Sequence, residues 1–357
     1  MDGSYSVLCY DRIVKRTSIY SSLIIISSIS LSSCGGSGTS GGTFSPSNYT
    51  TTAIDPAQRR LYSHNLSGEV TGVTTDGSKA TLYATSAVNF ALGNTQTITM
   101  HSSFDHMTPM GIATDGTLLF SGSSDVTFTA GPVVFADPTA TPVLPTLPIG
   151  VTSLVFPSQN DSQQIVLLHG SSGNCYYYSS PAASPTMLTK TNGDRPLISN
   201  SGVIELVLNS GERVVYPTPT SAPVTIAANK DDIAPSLFTM DNKLIGAAKV
   251  SGVLQAAYFL PTNYGTPIFL PVPAGTTDSA LFHVNSQGVG AGYYRDAAFN
   301  FHACIWPTLS SQPVDFRGTG SSSFDYAEYI FDDGTIIAAH ANFGAGHDSQ
   351  FVLTRTH

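Results

Sequence analysis

Beyond residue 60, apolar and polar positions alternate in short runs, and Gly, Asp, Asn or Pro interrupts each run. Strict alternation of this kind is the mark of half-buried strands, since successive side chains on a strand point to opposite faces. No window past residue 60 combines a 3.6-residue apolar period with capping residues, so no helix is expected there. The runs come in pairs around tight turns. Turns are read at Asp76-Gly77, Asp115-Gly116, Asn160-Asp161, Ser201-Gly202, Asp241-Asn242, Gln287-Gly288 and Asp333-Gly334. Asp-Gly between apolar runs predicts a type I′ hairpin, which needs positive φ at both central residues. The turns recur about every 43 residues between Gly77 and Gly334. A period of that size made only of strands predicts an all-β fold, a seven-bladed β-propeller of four-stranded antiparallel blades. The chain ends after the third strand of the seventh unit, so an N-terminal strand must close the ring. "PAQRRLYSHNL", residues 56–66, is the segment expected to do so.

Third strands aligned on the following turn or proline place "HACIWP" (302–307) beside "AAYFLP" (256–261), "ERVVYP" (212–217) and "SQFVLT" (349–354). Cys304 then falls in a core column with Tyr258, Val214 and Phe351. His302 shares a column with Ala256, Glu212 and Ser349, so the column does not repeat a His or Cys metal ligand. His302 is therefore expected to make a structural contact to backbone. "NSQGVGAGYY…FHACIW" resembles the HAF-type extracellular repeat of bacteria, through Asn285, Gly288, Gly292, His302, Ala303 and Trp306, with Cys304 in place of its Phe. The seventh unit matches in part, at Gly334 and Phe351, with Ser349-Gln350 in place of His-Ala. The resemblance implies blade-packing roles for these residues and carries no activity.

Composition narrows the setting. Charged residues make up 11% of the 357, and the net charge is −9 with no basic cluster beyond the N-terminus, which excludes nucleic acid as a partner. The 18 Phe and 16 Tyr supply a core and argue against disorder. Arg12, Lys15 and Arg16 precede an uncharged stretch from Ser18 to Ser33, the pattern of an export signal. Leu31-Ser32-Ser33-Cys34 resembles the lipobox of bacterial lipoproteins, which implies cleavage before Cys34 and acylation of its thiol. Gly35 in place of Asp favours the outer membrane. Residues 1–33 are thus read as a lipoprotein signal peptide, 34–50 as a flexible tether and 51–357 as the propeller. Three of 15 basic and two of 24 acidic residues leave with the signal, giving −10. Only Cys175 and Cys304 remain as internal thiols, so no disulfide framework is expected.

Candidate chemistry is sparse. An aspartate leads into the first strand of five units: Asp105, Asp194, Asp232, Asp278 and Asp325. First strands line the centre of a propeller, so these carboxylates would ring one mouth. They would either cap their own loops or hold a cation or cationic ligand. His340, His347 and Asp348 cluster on the last hairpin, in a Gly-rich setting ill suited to a catalytic base. Ser171 and Ser172 sit in an ordinary turn, and half of Tyr176, Tyr177, Tyr178, Tyr293 and Tyr294 must point inward. No nucleophile elbow, zinc helix or phosphate loop is present. The expectation is a monomeric, lipid-anchored binding scaffold at the cell envelope. It would have no catalytic residue, cofactor or metal, and its ligand would be a protein or a glycan. A glycan hydrolase or lyase and a subunit of an outer-membrane assembly are the alternatives.

Overall fold

The computed structural model describes residues 44–55, 59–65, 67–74, 80–127, 129–191, 194–316, 324–340 and 349–356. Seven small antiparallel sheets form a ring, the seven-bladed β-propeller that the turn spacing predicts. The inner strands are Arg59–His64, His106–Ile112, Leu154–Gln159, Leu197–Ile198, Ile233–Phe238, Asp278–Val284 and Tyr326–Ile330. Six sheets have four strands. The second has three, His106–Ile112, Leu118–Ser124 and Thr129–Phe135, with a lone antiparallel bridge between Val134 and Val143 where its outer strand would run.

No blade can bury both of its faces alone. Each pair of neighbours therefore shares an apolar cluster. Leu237, Ile245 and Ala256 of the fifth blade meet Leu281, Cys304 and Trp306 of the sixth. Leu61, Val70 and Leu82 of the first meet Tyr329, Ile337 and Val352 of the seventh. Cys304 is fully buried, as its column predicts. Cys175 is buried as well, and both thiols are free.

The ring closes with a strand from the N-terminus, but not with residues 56–66. Tyr49–Ala53 pairs antiparallel with Ser349–Arg355 in continuous register, from Tyr49↔Arg355 to Ala53↔Phe351. It begins inside the segment read as tether. Arg59–His64 is instead the inner strand of the first blade, paired with Val70–Thr74. One misplaced turn accounts for the error. Asp76-Gly77 lies outside the described residues, between the second and third strands of its blade, and the inner turn there starts at Asn65. A side chain completes the seam: Gln350 accepts from the Leu61 N–H at 2.9 Å and donates to the Leu61 carbonyl at 3.3 Å. A short helix, Ala87–Leu92, capped by the Ser86 hydroxyl and ended by Gly93 at φ 84°, packs Phe90 onto this seam. Six residues are too few to show as an apolar period, which is why the sequence hides it.

The inner turns are alike in all seven blades, and they are not type I′. In each, the fourth turn residue donates to the first, and the first N–H bonds the carbonyl of the fifth. Among the described turn residues, only the fourth has positive φ. It is glycine in five blades, Gln163 in the third and Asn242 in the fifth. This is a type I turn followed by a bulge residue, the three-residue hairpin loop. A true two-residue loop with two positive φ values occurs at Ser251-Gly252.

These turns account for the motif "N-x-x-G-x-x-x-G". Asn285 accepts from the Val289 N–H, holding its own turn, and donates to Phe331 O of the next blade at 3.2 Å. Asn65 and Asn160 do the same toward Ala113 and Ser199. Gly288 is the left-handed fourth residue, at φ 79°. The second glycine answers a different constraint. The register shifts at the same point of the inner hairpin in six of seven blades, as at Leu281/His283. The inner strand thereby bends toward its neighbour, so that a Cβ on Gly292 would lie 2.1 Å from Ala280 O.

Gly292→Ala is expected to cost about 3 kcal/mol, because the obstacle is the Ala280 backbone carbonyl, with the Trp306 ring also close. Gly288→Ala, with open space around it, should cost only about 1 kcal/mol from its left-handed φ. Urea midpoints of the two variants check the order. Removing residues 1–53 should abolish cooperative unfolding, since the seventh blade then lacks its outer strand; an unchanged transition by circular dichroism would contradict the closure.

Candidate ligand-binding face

Inner strands start at one end of the ring and turn at the other, so the five strand-leading aspartates share the starting end. Each is engaged locally. Asp105 accepts from the Asp125 N–H at 2.8 Å and the Ser124 hydroxyl at 3.1 Å, which holds its carboxyl below the usual range. Asp278 pairs with Arg295 at 2.9 Å and Asp325 with His340 at 2.9 Å. Asp232 lies 3.3 Å from Lys249, and Asp194 lies 3.9 Å from Lys230. In four of the five the partner belongs to the second strand of the same blade or the loop just after it. The carboxylate thus ties the entry of one strand to the exit of the next. Among the described residues, no group of three or more His, Cys, Asp or Glu side chains is arranged to hold a metal ion. His347 and Asp348 lie outside the described residues.

Two half-buried arginines brace the same end. Arg213 forms a 2.7 Å ion pair with Glu205 and donates its Nε to Lys230 O and Ile233 O at the entry of the fifth blade. Burial raises the Glu205 carboxyl above its ordinary range, and the Arg213 charge opposes that rise. Arg195 donates to Pro157 O at 3.3 Å and Met110 O at 3.5 Å, linking three blades across the centre. Desolvation lowers its guanidinium to about 10.

His302 does not contact backbone as expected. Its Nδ1 lies 2.8 Å from Asp315 Oδ2, and its Nε2 lies 3.2 Å from Asp296 Oδ2. Both ring nitrogens face carboxylate oxygens. The ring stacks on Tyr294 with centroids 4.6 Å apart, and the Tyr294 hydroxyl also donates to Asp315. Asp296 is pushed well below the carboxylate range, first by the Asn300 side chain and then by the Asn300 N–H and His302. His302 therefore pins the hairpin of residues 296–300 to the outer strand. Ala303 is buried, and the Trp306 indole N–H reaches Pro271 O at 2.9 Å.

Sequence reasoning missed a stack of three rings at the ring centre. Tyr329 lies between His64, at a centroid distance of 3.4 Å, and His283, at 3.6 Å. All three residues are buried, and they come from the seventh, first and sixth blades. Burial pushes the His64 imidazole down to about 3 and His283 well below its ordinary value, with the two imidazoles opposing each other's charge. The available signal was a histidine at an inward position of two inner strands, one or two residues before the turn.

No protein-family model and no curated protein matches the chain. Solved structures do. A streptogramin B lyase shares the fold at TM-score 0.56 and 9% identity, over 88% of this chain and all of that one. YCF48 bound to D1 peptide aligns at TM-score 0.56 and 10% identity, over 87% of this chain and 96% of that one. Virginiamycin B lyase from Staphylococcus aureus aligns at TM-score 0.52 and 10% identity, over 86% and 99%. Identity this low carries the ring architecture and no activity.

Acidification provides a test of the buried stack. A histidine that stays neutral in the fold adds stability that is complete above the unfolded pKa near 6.5. That stability is lost as pH falls below about 6.5, by up to about 1.4 kcal/mol per unit for each imidazole. Between pH 6.5 and 5, where few carboxylates titrate, the urea midpoint should fall with pH. His64→Leu should roughly halve that slope.

Proposed function

We propose that the chain is a lipid-anchored β-propeller of the bacterial cell envelope, held at the outer membrane through Cys34 and acting as a non-catalytic binding scaffold. Cys34 lies outside the described residues. The observation that carries the scaffold reading is the engagement of all five strand-leading aspartates. Their carboxylates are occupied by Lys, Arg, His, hydroxyl or amide partners of the ring itself, so they act as framework and not as a poised acid and base. YCF48, a ring of the same kind, carries a bound peptide, which supports binding as a use for this architecture.

The anchor also suits the direction of the chain. Tyr49 enters beside Arg355 and Gly334, at the inner-turn end. The span from Cys34 to Tyr49 reaches at most about 50 Å when extended.

Cys34→Ala should abolish incorporation of labelled fatty acid and move the protein from the membrane to the soluble fraction. Unchanged labelling would contradict the anchor. Turnover of any glycan by the purified chain would overturn the non-catalytic reading in favour of a propeller hydrolase or lyase.

A further inference from the structure

The missing outer strand of the second blade has a cause in the sequence and a consequence for the surface. Proline cannot donate to a strand ladder, and Pro138, Pro142, Pro145 and Pro148 fall where that strand would run. Where residues 138–142 loop back ahead of the bridge at Val143, they leave a notch against the outer strand of the first blade, Gln96–Ile98. A cavity of about 480 Å³ occupies it, within the range of about 300–1,000 Å³ that small-molecule sites span.

Its lining is chemically distinctive. Twelve residues border it, and not one is Asp, Glu, Lys or Arg, in a protein of net charge −9. Hydroxyls come from Thr97, Thr99, Ser102, Thr139 and Thr141, and an amide from Gln96. Phe135, Met100, Pro138 and Pro142 add apolar surface. Part of this wall is set in advance. Asp137 accepts from both the N–H and the hydroxyl of Thr139, at 2.7 and 2.6 Å. The Ser103 N–H donates to His101 Nδ1 at 3.2 Å, which orients the ring.

We infer that this notch is a binding site for a neutral saccharide. Five hydroxyls and one amide match the donor and acceptor chemistry of sugar hydroxyls, and the Phe, Met and Pro surfaces match the apolar C–H faces of a pyranose. A charged ligand would find no counter-ion among the lining residues. The inference rests on the scaffold reading and names a ligand class for it.

The test uses the full chain in detergent with chitobiose, cellobiose and maltose as probes, and with glucuronate and glucosamine as charged controls. Saturation-transfer NMR should show at least one neutral disaccharide bound and the charged controls unbound. His101→Ala with Gln96→Ala should weaken that binding at least tenfold without shifting the Tm. Ala140→Trp, which fills the notch, should abolish it at the same Tm. No transfer from any neutral probe at about 10 mM, equal binding of the charged controls, or full affinity in Ala140→Trp would overturn the site. Loss of the site leaves the fatty-acid labelling at Cys34 untouched, and turnover of a bound probe would refute the non-catalytic reading while sustaining the site.

Discussion

The seam between the seventh and first blades is the constraint on which the rest of the ring depends. Six contacts between neighbours follow from chain order. The seventh must be made between chain ends, and it is made three ways. Residues 49–53 complete the last sheet, Gln350 takes over the hydrogen-bonding groups of Leu61, and the Ala87–Leu92 helix covers the joint with Phe90. The histidine and tyrosine stack sits at the same place, where the sixth, seventh and first blades converge. Aromatic rings fill the narrowing centre at the cost of keeping two imidazoles neutral.

The ring architecture was legible because the signal was repeated. One Asp-Gly is weak evidence, but the same turn chemistry recurring along the chain set the number of blades, and the column of Cys304 gave its burial. Failures came where one unit departed from the others. In the first unit the conspicuous Asp-Gly belongs to the second hairpin, while the inner turn is the quieter "NLSG". That single slip moved the closing strand from residues 49–53 to 56–66. The second unit shows the opposite effect: its prolines were visible, but their result, a blade with a missing edge, needed the neighbouring strand to give it shape.

Site chemistry was less readable, for a physical reason. The five aspartates were found because they share a position along the chain, but their partners lie about 17–20 residues away in most blades, across a hairpin. His302 illustrates the same limit. Its own column suggested a structural contact to backbone, and only folding brings Asp296 and Asp315 to its two nitrogens. The glycines of "N-x-x-G-x-x-x-G" look interchangeable on paper. In the ring one serves a turn and the other makes way for a neighbouring carbonyl.

The antiparallel register of Tyr49–Ala53 also has a mechanical meaning. Phe44 and Asn48 are still held by the ring, through the Arg355 guanidinium and the Thr356 N–H, and the strand runs on from there along its partner. Tension applied to the preceding residues acts lengthwise on that strand, so its backbone bonds share the load in shear instead of parting one after another. The fastening that completes the circle is therefore oriented to resist a pull from its N-terminal side.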